Sequence, residues 1–226
     1  MATPKTFSKI SSARRIGLRF PIVGIGASAG GIEALTQLFS CLPADTGMGF
    51  VLIQHLAPAH PSVLAHLLST KTAMPVHEAT HRQRVLPNHV YVITPNTCLR
   101  IARGLLMVQP RDSTPGAART IDIFFESLAH DGRERAIGII LSGNASDGTI
   151  GLEAIKTQGG ITLAQDHSAA YRSMPQSAIA AGCVDLVLAP KAIAEELARI
   201  ASHPYVAQGR PSPPIRMSRG AESPQA

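Results

Sequence analysis

Apolar residues along this chain fall into two kinds of run, and the two alternate. Nearly continuous apolar stretches occur at 22–27 (IVGIGA), 49–55 (GFVLIQH), 89–94 (HVYVIT), 136–142 (AIGIILS), 160–165 (GITLAQ) and 184–189 (VDLVLA), and these read as strands. Several lack the strict in–out alternation of a half-exposed strand, as expected of strands covered on both faces. Between them lie helix-like stretches at 31–41, 61–70, 121–130, 148–158, 175–181 and 191–202. Leu152 and Ile155 with Lys156 and Gln158 outward give an amphipathic pattern. Pro61, Pro175 and Pro190 fit helix starts. Residues 99–109 (LRIARGLLMVQ) differ: two short strands flank Arg103-Gly104, which predicts a hairpin. The whole predicts an α/β fold: a doubly wound, mostly parallel sheet with flanking helices and a small antiparallel hairpin. Sites in such sheets form beyond the carboxyl ends of the strands, and that rule selects the polar residues to weigh.

Composition changes this picture mainly at the two ends. The 226 residues suffice for one good core and are short for two full domains. The chain has 21 basic and 15 acidic residues, a formal charge of +6. The excess is uneven. Residues 1–20 hold Lys5, Lys9, Arg14, Arg15 and Arg19 with no acid, and residues 205–226 hold three arginines and one glutamate, leaving 21–204 at −1. The basic character therefore belongs to the tails, and no nucleic-acid partner is expected of the body. The expected organisation is a basic flexible arm at 1–20, one domain at 21–203, and a disordered Pro/Ser/Arg-rich tail at 204–226. The arm is open to two readings, a solvated tail or a docking arm for an acidic partner. Cys41, Cys98 and Cys183 form no CxxC pair, which argues against a disulfide framework and for a reducing compartment. Cys41 and Cys183 sit among apolar neighbours and are expected in or near the core. No run of 18 apolar residues and no secretory h-region is present, so a cytoplasmic location without membrane insertion is expected.

Three strand ends carry candidate chemistry. The first strand runs into Gly24-Ile25-Gly26-Ala27-Ser28-Ala29-Gly30-Gly31 and then a helix. Gly26-Ala27-Ser28-Ala29-Gly30 spells G-x-S-x-G, a turn that exposes a serine at a helix N-terminus, where a developing oxyanion is favoured. Gly24, Gly26 and Ala29 also fit the dinucleotide pattern G-x-G-x-x-A. That reading needs an acidic residue at the end of the second strand to hold a ribose; Gln54-His55 stands there instead. His55 is expected either to face Ser28 across neighbouring strands or to make a local strand-end hydrogen bond. His60 and His66 follow at spacings that do not place ligands on one helical face, so no metal site is expected. Asp147, after the strand 136–142, is open to two readings: an N-cap of the helix that follows, or the acid that orients a histidine. Jointly, Ser28, His55 and Asp147 make a nucleophile, a base and an orienting acid.

The stretches VGIGASAGGIEAL, FVLIQHLAP, LPNHVYVITPN, IDIFFESLA, RAIGIILSGNASDGTIGLEAIK, GGITLAQD and SMPQSAIAAGCVDLVL resemble the catalytic domain of chemotaxis receptor methylesterases of the CheB type. The resemblance spans about residues 20–200, with the motifs in order. It implies a parallel α/β fold and a Ser-His-Asp triad of Ser28, His55 and Asp147. It implies backbone N–H oxyanion donors at Ala29 and Asn144, and shape rather than chemistry for Asp166 and Met174-Pro175. It implies hydrolysis of glutamate γ-methyl esters on a methylated chemoreceptor or similar sensory protein, and glutamine deamidation by the same route, with no cofactor. Many members carry Thr where this chain has Ala29; the Ala form resembles the version fused to receptor methyltransferases. The receiver domain that precedes the catalytic domain in many members does not fit in the 20 or so residues before the first strand. The contrasting expectation is a catalytically silent binding module of the same fold.

Overall fold

A computed structural model describes residues 20–54, 63–111 and 119–203. The expected arm, apart from residue 20, and the expected tail at 204–226 lie outside the described residues, as do His55, His60 and Pro61. In chain order the first elements are β1 (Ile22–Ala27), α1 (Gly31–Cys41), β2 (Gly49–Gln54), α2 (Val63–Ser69), β3 (Val76–Glu78), β4 (Gln83–Arg84) and β5 (His89–Val92). There follow β6 (Thr97–Ala102), β7 (Leu105–Pro110), α3 (Thr120–Gly132), β8 (Ala136–Ile140), α4 (Thr149–Thr157), β9 (Ile161–Gln165), α5 (Ser173–Ala180), β10 (Leu186–Leu188) and α6 (Pro190–Ser202).

Seven strands pair in the order β10-β9-β8-β1-β2-β5-β3, every pairing parallel. The chain moves outward from β1 to β2 and beyond, then returns to the other side of β1 with β8. The topological switch point therefore falls between β1 and β8. β1, β2 and β8 are buried at every position, which explains their unbroken apolar sequences. One face is covered by α1, α2 and α6, through Leu35, Leu38, Leu64, Leu68, Ile193 and Leu197. The other is covered by α3, α4 and α5, through Phe124, Phe125, Leu128, Leu152, Ile155 and Met174.

The expected hairpin is present as β6 and β7, turning at Arg103-Gly104 with φ of 55° and 71°. Two consecutive positive φ angles are what a two-residue turn matched to strand twist requires. It belongs to a three-stranded antiparallel sheet, β4-β7-β6. The short strands β3 and β4 carry too few apolar positions to read as strands in the sequence. Pro190 opens α6, whereas Pro175 is the third residue of α5. Cys183 is buried as expected, but Cys41 is exposed. It is the last residue of α1, at the margin of the apolar face formed by Ala34, Leu35, Leu38 and Phe39.

Gly24 and Gly26 lie within β1, under α3. A Cβ on Gly24 would come within 2.9 Å of Phe125, and one on Gly26 within 2.5 Å of Ile121. The bare strand lets α3 press against the sheet. Gly26→Val is expected to lower stability by about 1–3 kcal/mol through overpacking. The midpoint of urea unfolding checks this, and an unchanged midpoint would contradict it.

Candidate active site

Because β1 and β8 are neighbours, the loops that leave their carboxyl ends meet. The Ser28 N–H donates to the Ser142 carbonyl at 2.9 Å, one step beyond the bond from Leu141 N–H to the Gly26 carbonyl. The strand pairing thus continues into the two loops. Ser28 is half-buried and precedes the left-handed Gly30 (φ 71°) that starts α1; the Gly31 N–H closes the turn onto the Ser28 carbonyl at 3.0 Å. Gly143 permits the approach of the second loop: a Cβ there would collide with Met174 Sδ and lie 3.0 Å from Ser28 Cβ.

Ser142 ties three segments together. Its Oγ donates to the Ala29 carbonyl at 2.8 Å and accepts from the Tyr171 N–H at 3.0 Å. Its own N–H donates to Gln165 Oε1 at 2.9 Å, and Gln165 Nε2 donates to Ser168 Oγ at 3.2 Å. The Gly143 N–H donates to the Tyr171 carbonyl, and the Met174 N–H to the Gly143 carbonyl. The segment 166–174 is thereby a buttress for both loops. Asp166 accepts from the Ser168 N–H at 3.0 Å, and the hydrogen bonds from Ser168 hold its carboxyl below the usual range. Ser142 and Gln165 were not singled out in the sequence; both stand at the carboxyl ends of strands, which is the signal that could have found them.

Ala29 is half-buried and Asn144 exposed, on opposing loops. Among the described residues neither backbone N–H has a hydrogen-bond acceptor. The neighbouring Ala145 is held at a positive φ of 67°, a strained setting for a residue with a Cβ and one that clusters at functional loops.

Asp147 does not cap its own helix. The N-cap of α4 is Gly148, with no side-chain cap bond. Instead the buried Asp147 carboxylate reaches across to the start of α3, where Oδ2 accepts from the Ile121 N–H and Oδ1 from the Asp122 N–H, each at 3.0 Å. The contact is reciprocal. The Asp122 carboxylate, on the first turn of α3, accepts from the Gly151 N–H in the first turn of α4 at 2.8 Å and from Arg119 Nε at 3.2 Å. Each helix start is thus satisfied by a carboxylate from the other's vicinity, which supplies acceptors to N–H groups that a helix leaves unpaired. Two donors, one on each oxygen, fix the plane of the Asp147 carboxylate.

His55 lies outside the described residues. Ala27 and Gln54 are register partners across β1 and β2, and Ser28 and His55 are the residues that follow them in sequence. The Gln54 side-chain carbonyl is buried and has no partner among the described residues. It borders a small cleft with Thr94, Asn96, Thr97, Arg111 and Thr120, beyond the ends of β2 and β5. Among the described residues no group of three or more His, Cys, Asp or Glu side chains could hold a metal ion, and no helix is long and apolar enough to cross a membrane.

The CheB methylesterase family model matches residues 23–197. A protein-glutamate methylesterase/protein-glutamine glutaminase of Burkholderia orbicola is 34% identical over 196 residues, covering 86% of this chain and 59% of that protein. A protein of the same description from Geobacter metallireducens is 37% identical over 171 residues, 74% of this chain and 47% of its own. This chain therefore spans about half to three-fifths of the length of these curated relatives. The crystal structure of the Thermotoga maritima CheB methylesterase catalytic domain superposes with a TM-score of 0.74 at 28% identity, covering 80% of this chain and 98% of that one.

The Asp147 geometry gives a prediction independent of any activity. Asp147→Asn turns an N–H₂ group toward a backbone N–H and leaves one buried donor unsatisfied, for a loss of about 1–3 kcal/mol of stability. Thermal and urea unfolding check this; an Asn variant as stable as the parent would contradict the clamp.

Proposed function

The chain belongs to the CheB methylesterase family, and from that premise we propose that it hydrolyses γ-methyl esters of glutamate side chains on a methylated chemoreceptor or similar sensory protein. The observation that carries this reading is the meeting of Ser28 with the Asp147 loop at the switch point between β1 and β8. Ser28 is the nucleophile, His55 the general base, and Asp147 the acid that orients the histidine and stabilises its cationic form. His55 takes the hydroxyl proton as Ser28 Oγ bonds to the ester carbonyl carbon. The oxyanion that forms is held by the backbone N–H groups of Ala29 and Asn144, next to the positive end of α1. The histidinium returns its proton to the departing methoxide, methanol leaves, and the acyl group remains on Ser28. Water, deprotonated by His55, then attacks the acyl carbon; the bond to Ser28 Oγ breaks, the histidinium returns its proton to that oxygen, and the glutamate carboxylate is released. A glutamine side-chain amide follows the same route with ammonia as leaving group, in keeping with the glutaminase part of the relatives' description. The acid, Asp147, is anchored on both oxygens before substrate arrives, so little reorganisation is needed in the transition state.

Methanol release from methylated receptor protein tests this reading. Ser28→Ala is expected to lower the rate by about a thousandfold or more, with stability unchanged. An Ala variant that releases methanol at the parent rate would overturn it.

A further inference from the structure

Charge in the body of this chain is segregated along the sequence. Residues 81–111 hold five arginines, at 82, 84, 100, 103 and 111, and no Asp, Glu or Lys. The rest of 21–204 holds 14 acidic residues against eight basic ones. Those 31 residues contain the whole antiparallel sheet β4-β7-β6.

The two faces of this sheet differ. Leu99, Ile101 and Leu106 point inward and are buried. Arg100 is the register partner of Met107, and Arg84 that of Leu105. By the two-residue period of strands these four share the opposite face. Leu105 and Met107 on the central strand are half-buried, and the arginines on the flanking strands are exposed. The outer face is an apolar seam between two guanidinium groups. Arg103 is exposed at the hairpin tip and Arg82 just before β4. Two acids lie beside the sheet, lining a hollow against α3 with Arg100 and Arg103: Glu126, 3.8 Å from Arg119, and Asp131, whose carboxylate accepts the backbone N–H groups of Arg103 and Gly104. Among the described residues none of the five arginines pairs with a carboxylate.

One end of the sheet abuts the candidate active site. Thr97, which begins β6, and Arg111, which follows β7, line the cleft that also contains Gln54. From that end the face runs six residues to Ala102, about 20 Å. This is the length of about 13 residues of α-helix.

We propose that this outer face is the docking surface for the protein substrate, a helical segment bearing several glutamate carboxylates. The proposal rests on the methylesterase reading and deepens it. The helix lays an apolar stripe on Leu105 and Met107, and its carboxylates meet Arg84 and Arg100 on either side. Guanidinium forks suit that task better than ammonium groups, because they take carboxylates bidentately and shed water more readily. One esterified glutamate then enters the site at the Thr97 end. Every hydrolysis converts a neutral ester into a carboxylate, so a partly hydrolysed segment is held more strongly than a fully esterified one.

The test is the double variant R84E/R100E, read on two substrates and by direct binding. With methylated receptor at low salt, KM is expected to rise about tenfold or more, because reversed rim charges act on encounter and affinity. Hydrolysis of p-nitrophenyl acetate, which needs no docking, is expected to stay at the parent rate and shows that the variant is folded. The R84K/R100K protein keeps the charge but loses the bidentate fork, and its KM is expected to fall between those of the parent and the Glu variant. An unchanged KM in the Glu variant, or an equal loss on both substrates, would overturn the proposal. Fluorescence anisotropy with a labelled, unesterified receptor helix measures docking without catalysis: binding weakened about tenfold in the Glu variant is expected, and equal binding contradicts docking whatever the enzyme's activity. Duplex DNA that binds more tightly than the acidic helix at physiological salt would also contradict it. Failure of the methylesterase reading looks different, as a parent protein that hydrolyses the small ester and binds the helix but releases no methanol.

Discussion

Parallel pairing of β1 with β8 brings together two loops that are more than a hundred residues apart in the chain. The pairing does not stop at the strand ends: Leu141 bonds back to Gly26, and Ser28 bonds across to Ser142. Ser28 is therefore positioned by the sheet itself, not by a free loop. Its backbone direction is set by the same hydrogen-bond ladder that makes the core. Ser142 then fixes the Ala29 carbonyl, and segment 166–174 fixes Ser142. A site built this way inherits the rigidity of a buried parallel sheet, which preorganised catalysis requires.

The second support is the exchange of carboxylates between α3 and α4. Helix starts leave N–H groups unpaired, and burying two side by side is costly unless acceptors are supplied. Asp147 and Asp122 supply them to each other's neighbourhood. The contact is close because α4 carries Gly151, where a Cβ would lie 2.5 Å from Phe125 Cβ and 2.9 Å from the Asp122 carbonyl oxygen.

Much of this was legible in the sequence, and the misses have physical reasons. Fully buried strands write unbroken apolar runs, so β1, β2, β8 and β9 were readable, and Ser28 and Asp147 followed from the rule that sites lie at strand ends. Cys41 is exposed although its sequence neighbours are apolar, because it is the last residue of α1 and lies at the margin of the buried stripe, past the end of its cover. Strands β3 and β4 were missed because two or three half-exposed residues carry no period. The partner of Asp147 was not legible. A short acid before a helix usually caps that helix, and only the tertiary contact of α3 with α4 turns its carboxylate across to Ile121 and Asp122. Ser142 and Gln165 escaped for a like reason: their bonds run between segments more than twenty residues apart.

Ser28 is the proposed reacting group, and covalent labelling reads that directly. The protein would be incubated with a serine-directed fluorophosphonate, digested, and mapped by mass spectrometry. A single adduct on Ser28, absent when His55 is replaced by alanine, is the predicted result. No adduct in the parent protein, or an adduct on Ser142 in place of Ser28, would contradict it.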